Sequence, residues 1–128
     1  ASPLRGQGGR PGKGGRKTEV ITVTYEKAPG EYRLRARGHA GYGKPGQDIV
    51  CAAVSALLCT LGTYLEEGKD RWDLLETSAR WGELETRVRG PEALEEIFAM
   101  TMLGLGCLAA RYPRHLTIQS ASGGDPGQ

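Results

Sequence analysis

Residues 38–59 read GHAGYGKPGQDIVCAAVSALLC, and three kinds of local structure meet within them. Four glycines, Gly38, Gly41, Gly43 and Gly46, fall among residues 38–47, so this part has little to pack and wide freedom in φ and ψ. Asp48 follows as an N-cap, its carboxylate placed to accept the amide protons of Val50 or Cys51. From Ile49 onward apolar residues occupy almost every turn position, which predicts a helix that is largely buried. Gly68 terminates it, or Gly62 a turn earlier, because Glu66 and Glu67 oppose the helix dipole at its C-terminal end. The apolar breadth of this helix favours contact on two sides, with a sheet and with a partner chain.

Working outward toward the N-terminus, YRLRARG at residues 32–38 alternates, with Tyr32, Leu34 and Ala36 on one face and Arg33, Arg35 and Arg37 on the other. Val20–Tyr25, VITVTY, is β-branched and aromatic, and Ala28, Pro29 and Gly30 join the two segments as a hairpin. Three arginines on one face could meet phosphates, although a solvated sheet face is the commoner reason for such a row.

Toward the C-terminus a second hairpin runs over residues 72–89, WDLLETSAR and ELETRVR with a break at Trp81 and Gly82. Pro91 suits the first position of a second helix, with Glu92, Glu95 and Glu96 in its first turns and Arg111 in its last. Leu94, Ile97, Phe98, Thr101, Leu105 and Leu108 form its inward stripe, Pro113 ends it, and HLTI at residues 115–118 closes the sheet. The predicted fold is α+β, a single domain in ββαββαβ order with a sheet of roughly five strands packed with two helices. Periodicity leaves open whether the helices share one face of the sheet.

At 128 residues the chain has the length of one domain. Its net charge of +2 is unevenly spread: Arg5, Arg10, Lys13, Arg16 and Lys17 lie in residues 1–18, which contain no acid. The remainder is mildly acidic, so an electrostatic case for nucleic acid applies to the tail alone. Residues 1–18 are expected to be a disordered, basic, Gly-rich tail, residues 19–119 the folded domain and residues 120–128 a flexible C-terminal tail. The N-terminal tail is read as a basic arm touching RNA or an acidic partner, or more simply as a solubilising extension. Three widely spaced cysteines, Cys51, Cys59 and Cys107, and no secretory leader suggest a reducing, cytoplasmic setting. No unbroken run approaches the roughly 18 to 20 apolar residues of a membrane span, so no membrane partner is expected.

A thiol reacts as the thiolate, and its free pKa of about 8.5 falls near a helix N-terminus or a cationic histidine. Cys51 sits in the first helical turn, where open amides would stabilise a thiolate and could also hold the oxyanion of a tetrahedral intermediate. On that basis Cys51 should label with iodoacetamide in preference to Cys59 and Cys107, both read as core cysteines. His39, twelve residues earlier at the end of a strand, could take the thiol proton and return it to a leaving amine. The plain alternative is a small buried cysteine and a loop histidine. Asp48 could orient His39 but caps the helix on local geometry alone, and its charge would raise the thiol pKa. Ser55, one turn beyond Cys51, shares its face. No metal spacing is present, His115 completing none, and the glycine loop lacks the ending of a phosphate-binding loop.

The string GHAGYGKPGQDIVCAAVSAL resembles the signature of the ribosomal-processing cysteine protease family, Prp, and the likeness runs from roughly Val20 to Ile118, including the Tyr112–Pro113 pair. It implies a catalytic histidine at His39 and a nucleophile at Cys51. Asp48 and Ser55 match further motif positions, and Gly38 and Gly41 fall in the loop that supports the site or the substrate. It further implies cleavage, after aromatic residues, of the N-terminal extension of a large-subunit ribosomal protein precursor, a homodimer, a mobile loop between the catalytic residues, and no cofactor. Gly43, Lys44 and Pro45 depart toward a stiffer loop, and the basic tail is longer than the family's usual start. The competing expectations are a non-catalytic ribosome-associated RNA-binding module and a purely structural dimerisation protein.

Overall fold

The structure is a computed structural model and describes residues 20–44, 47–80 and 82–122, with residues 121–122 described for their backbone. The tail at residues 1–18 and the end of the C-terminal tail, residues 123–128, lie outside the described residues.

Strands β1 (Ile21–Ala28) and β2 (Glu31–Arg37) form the first hairpin. Ala28 faces Glu31 across a two-residue turn in which Gly30 takes φ of 73°, a left-handed value that favours glycine. Helix α1 spans Ile49–Glu67, and strands β3 (Asp73–Arg80) and β4 (Glu83–Arg89) form the second hairpin. Helix α2 (Ala93–Arg111) leads to β5 (Leu116–Ser122). The order is therefore ββαββαβ, as the periodicities predict. β1 extends three residues past Tyr25, and β5 takes in residues 120–122, which the sequence reading assigned to the tail. Pairing explains the extension: β5 stays opposite β1 as far as Lys27 and Ser122.

The sheet order is β3-β4-β2-β1-β5, antiparallel except for the parallel pair of β1 and β5. Both helices lie on one face. Ile21 and Val23 of β1, Tyr32 and Leu34 of β2, Val88 of β4 and Leu116 of β5 form one buried cluster with residues of α1 and α2. α1 contributes Val50, Val54, Leu58, Leu61 and Leu65, and α2 contributes Leu94, Phe98, Thr101 and Leu105. The Phe98 ring lies between those of Tyr25 and Tyr32, at centroid distances of 5.6 and 5.4 Å. The helices touch where Gly104 leaves no more than methyl-sized room, since a Cβ there would stand 3.2 Å from Leu57 Cδ1.

α1 runs the full length to Gly68 rather than stopping at Gly62. Its acidic end is accommodated by Lys69, whose ammonium lies 3.2 Å from Glu66. The helix is not largely buried: one stripe meets the sheet, while Ile49, Ala52, Ser55, Ala56, Cys59 and Tyr64 are exposed. Pro91 precedes α2 instead of occupying its first turn, its carbonyl accepting the amide of Leu94. Both 19-residue helices have the length and composition of a membrane span, although neither is an unbroken apolar run. Here each lays its apolar stripe on the sheet.

The opposite face of the sheet is charged, but it is not simply solvated. Arg33 is buried, with Nε 2.7 Å from Glu85 and Nη1 3.4 Å from Glu26. Burying a guanidinium requires such partners, because an uncompensated charge would be strongly destabilising.

Candidate functional site

β2 runs out at Arg37, and Gly38 turns the chain with φ of 100°; a Cβ there would strike the Val20 carbonyl oxygen at 2.4 Å. The Gly38 amide donates to the Gly82 carbonyl at 2.9 Å, which joins the turn of the second hairpin to the start of the loop. His39 is exposed, and its imidazole lies over the bare Cα of Gly82: a Cβ on that glycine would stand 2.9 Å from His39 Nε2. Gly82 itself has φ of 77°. Two requirements, a left-handed turn and room for the imidazole, thus fall on one residue.

The next residue, Ala40, is fully buried. Its amide donates to Cys51 Sγ at 3.3 Å, and its carbonyl accepts from His115 Nδ1 at 2.7 Å. Beyond it the loop turns back through Gly41, at φ of 65°, and the Tyr42 ring packs edge-on against Tyr112 and His115, at 5.3 and 5.2 Å.

Asp48 does more than cap. Oδ1 accepts the amides of Val50 and Cys51, both at 3.0 Å, while Oδ2 accepts those of Tyr42 and Gly43, at 2.9 and 3.2 Å. One carboxylate fastens the helix start to the loop that carries His39. Burial pushes its pKa up, but the four donated amides outweigh this and hold the carboxyl below its ordinary value.

The arrangement at the thiol differs from expectation. The Val50 and Cys51 amides are taken by the Asp48 carboxylate and the Ala52 amide by the Asp48 carbonyl, so these first-turn donors are not open to an oxyanion. What points at the sulfur is Ala40 N–H. Burial pushes the Cys51 thiol up, the Ala40 amide draws it partly back, and the Asp48 charge adds to the rise. The net direction is a thiol pKa above its ordinary value.

All six residues singled out in the sequence, Gly38, His39, Gly41, Asp48, Cys51 and Ser55, line one cleft of about 900 Å³. Ile21, Ala36, Val54 and Leu84 give it apolar walls, and Arg80 and Glu83 bring charge from the second hairpin. The volume is that of a typical ligand site. Cys59 also lines this cleft, and it and Cys107 are exposed rather than in the core. Among the described residues, no group of three or more His, Cys, Asp or Glu side chains gathers to hold a metal. Three participants escaped sequence reasoning: Ala40, whose role is carried by its backbone, Gly82, read only as a break, and His115, set aside for want of metal spacing.

The sequence profile of a family described as cysteine protease Prp matches residues 20–117. No curated protein sequence matches the chain. Among solved structures, SMU.848 from Streptococcus mutans is similar, at 28% identity over 81% of this chain and 96% of that one, with a TM-score of 0.61. The ribosomal processing protease Prp of S. aureus shares the fold in two complexes. With a covalently linked product peptide it has 23% identity, a TM-score of 0.67, and coverage of 79% of this chain and 99% of that one. With a substrate peptide it has 21% identity, a TM-score of 0.57 and the same coverage.

Proposed function

The chain belongs to the family of the cysteine protease Prp and is a cysteine protease, and from that premise we propose that Cys51 is its nucleophile, His39 its general base and acid, and the precursor of a large-subunit ribosomal protein its substrate. The observation that carries this reading is the hydrogen bond from Ala40 N–H to Cys51 Sγ, which brings the sulfur beside the residue that directly follows His39.

The imidazole of His39 accepts the thiol proton as Sγ attacks the scissile carbonyl carbon. The tetrahedral intermediate collapses, the C–N bond breaks, and the imidazolium returns its proton to the leaving amine. Water, deprotonated by the same imidazole, then hydrolyses the thioester and releases the acid with regeneration of the thiol. The sequence of steps needs no cofactor. Asp48 supports the site by holding the loop to the helix, and Ser55, Gly38 and Gly41 line the substrate's path. Support for the substrate comes from the S. aureus protease, a ribosomal processing enzyme seen with a substrate peptide.

A homodimer fits the exposed apolar side chains of the helical layer, where Met100 and Leu103 are each 71% exposed. Cytoplasmic placement fits three free cysteines. The basic tail would add weak RNA contact outside the described residues. Mass spectrometry of the precursor after incubation with the wild type and with Cys51→Ala tests the reading. The wild type should release the N-terminal extension and the variant should not. Cleavage by the variant would overturn it.

A further inference from the structure

The second histidine of the chain does work that the reaction scheme leaves unassigned. We propose that His115 is a positioning residue for the Cys51 thiol: its imidazole holds the Ala40 carbonyl so that the amide of the same residue stays aimed at the sulfur. The proposal rests on the reading of Cys51 as nucleophile.

A carbonyl oxygen only accepts, so His115 Nδ1 carries the proton in the 2.7 Å contact with Ala40. The neutral Nδ1–H tautomer and the imidazolium both make that bond. His115 is itself fixed. Its amide donates to the Tyr112 carbonyl at 2.9 Å, its carbonyl accepts the Ile21 amide at 3.0 Å, and the Tyr42 ring stands edge-on to its imidazole. Ala40 is thereby held at three points: its buried methyl, its carbonyl at His115 and its amide at Cys51.

The amide that is aimed matters because the other donors near the sulfur are committed. Val50 and Cys51 give their amides to Asp48, whose charge disfavours a thiolate. The titratable and charged groups that line the cleft with Cys51 are Asp48 at the cap, His39 on the loop, Cys59 on α1, and Arg80 and Glu83 on the second hairpin. Against that background the Ala40 amide is a directed donor, and its bond strengthens when the sulfur becomes an anion. His115 is not among the residues that line the cleft, and its link to the sulfur runs through Ala40.

The test compares His115→Phe, which keeps a ring beside Tyr42 but cannot donate, with His115→Asn, whose side-chain amide can reach the carbonyl. Peptide-resolved mass spectrometry follows iodoacetamide alkylation of Cys51 against pH in the full chain, and kcat and KM are measured on a peptide spanning the processing junction. In His115→Phe the Cys51 alkylation profile should move to higher pH, with a rate at pH 8 lower by about tenfold. kcat should fall by a similar factor while KM holds, and His115→Asn should restore most of both. A wild-type profile and kcat in His115→Phe overturns the proposal, and so does His115→Asn failing as fully as Phe. Should His115→Phe not fold by circular dichroism, His115→Ala set against His115→Asn decides in the same way. If the wild type cleaves no precursor peptide, the protease reading of the substrate fails, while the alkylation arm still decides the role of His115.

Discussion

The sulfur of Cys51 lies 3.3 Å from the backbone nitrogen of Ala40, the residue immediately after His39. That one bond ties the first turn of α1 to the loop carrying His39, and it offsets part of the rise that burial gives the thiol. A half-buried sulfur beside a carboxylate has its pKa raised, so the thiolate fraction at neutral pH falls below that of an ordinary cysteine. That direction is opposite to the lowered pKa expected of a thiol at a helix terminus, and on the proposed reading Cys51 gives up its proton to His39 as it attacks.

Alkylation should follow from this directly. At pH 7 iodoacetamide should modify the exposed Cys59 and Cys107 ahead of Cys51, the reverse of the order expected from sequence. Peptide-resolved mass spectrometry over time reads the three rates separately. Faster labelling at Cys51 would show that the thiol is ionised in the free enzyme.

Asp48→Ala should separate stability from reactivity. Losing a cap and two loop bonds should lower stability at pH 7 by about 2 kcal/mol, read from urea unfolding. Removing the carboxylate charge, and freeing the Val50 and Cys51 amides, should make Cys51 alkylate faster. The folded pKa of Asp48 is depressed, so its contribution is complete above the unfolded value of about 3.9 and is lost as pH falls through the folded value. The wild type should therefore show an acid limb of stability below about pH 4 that is shallower in the variant.

Gly82→Ala should damage catalysis through His39 alone. The new methyl would stand 2.9 Å from His39 Nε2 on a backbone at φ of 77°. The left-handed conformation should cost about 1 to 2 kcal/mol, and a displaced imidazole should lower kcat by about 10- to 100-fold. Cys51 alkylation should stay near wild type, because the sulfur's own partners are unchanged.

Two substitutions probe the two faces of the sheet. Phe98→Ala removes the ring stacked between Tyr25 and Tyr32 and should cost about 3 to 5 kcal/mol. Arg33→Ala leaves Glu26 and Glu85 without this guanidinium and should cost about 3 kcal/mol. RNA affinity should not change in Arg33→Ala, because this guanidinium is covered; a loss measured by filter binding would return the arginine row to the list of phosphate contacts.

Local chemistry was legible in the sequence where it depends on neighbours in the chain. The alternation of Tyr32, Leu34 and Ala36 and the Asp48 cap follow from short-range pattern, whereas the spacing of His39 and Cys51 only permits their joint placement, which the family resemblance implies. The placement of both helices on one face, and of β5 beside β1, did not follow, since periodicity records that a face is buried and not against what. The lack of metal spacing makes Cys59 and Cys107 core cysteines by default, but both are exposed, because only the packing of α1 and α2 decides which side of each helix is covered. The second pair of bonds at Asp48 needed the path of the loop, and the contact of His115 with Ala40 spans 75 residues, beyond any local signal.

The parallel pairing of β1 with β5 has a consequence for timing. As the chain is synthesised, His39 and Cys51 emerge early, yet the strand that flanks β1 and the imidazole that grips Ala40 come after α2. Contacts so distant in sequence form late, since the intervening chain must be closed before they contribute. A growing chain therefore carries His39 and Cys51 without their finished surroundings. On the proposed reading, a chain that has not yet docked β5 holds His39 and Cys51 without the His115 contact at Ala40.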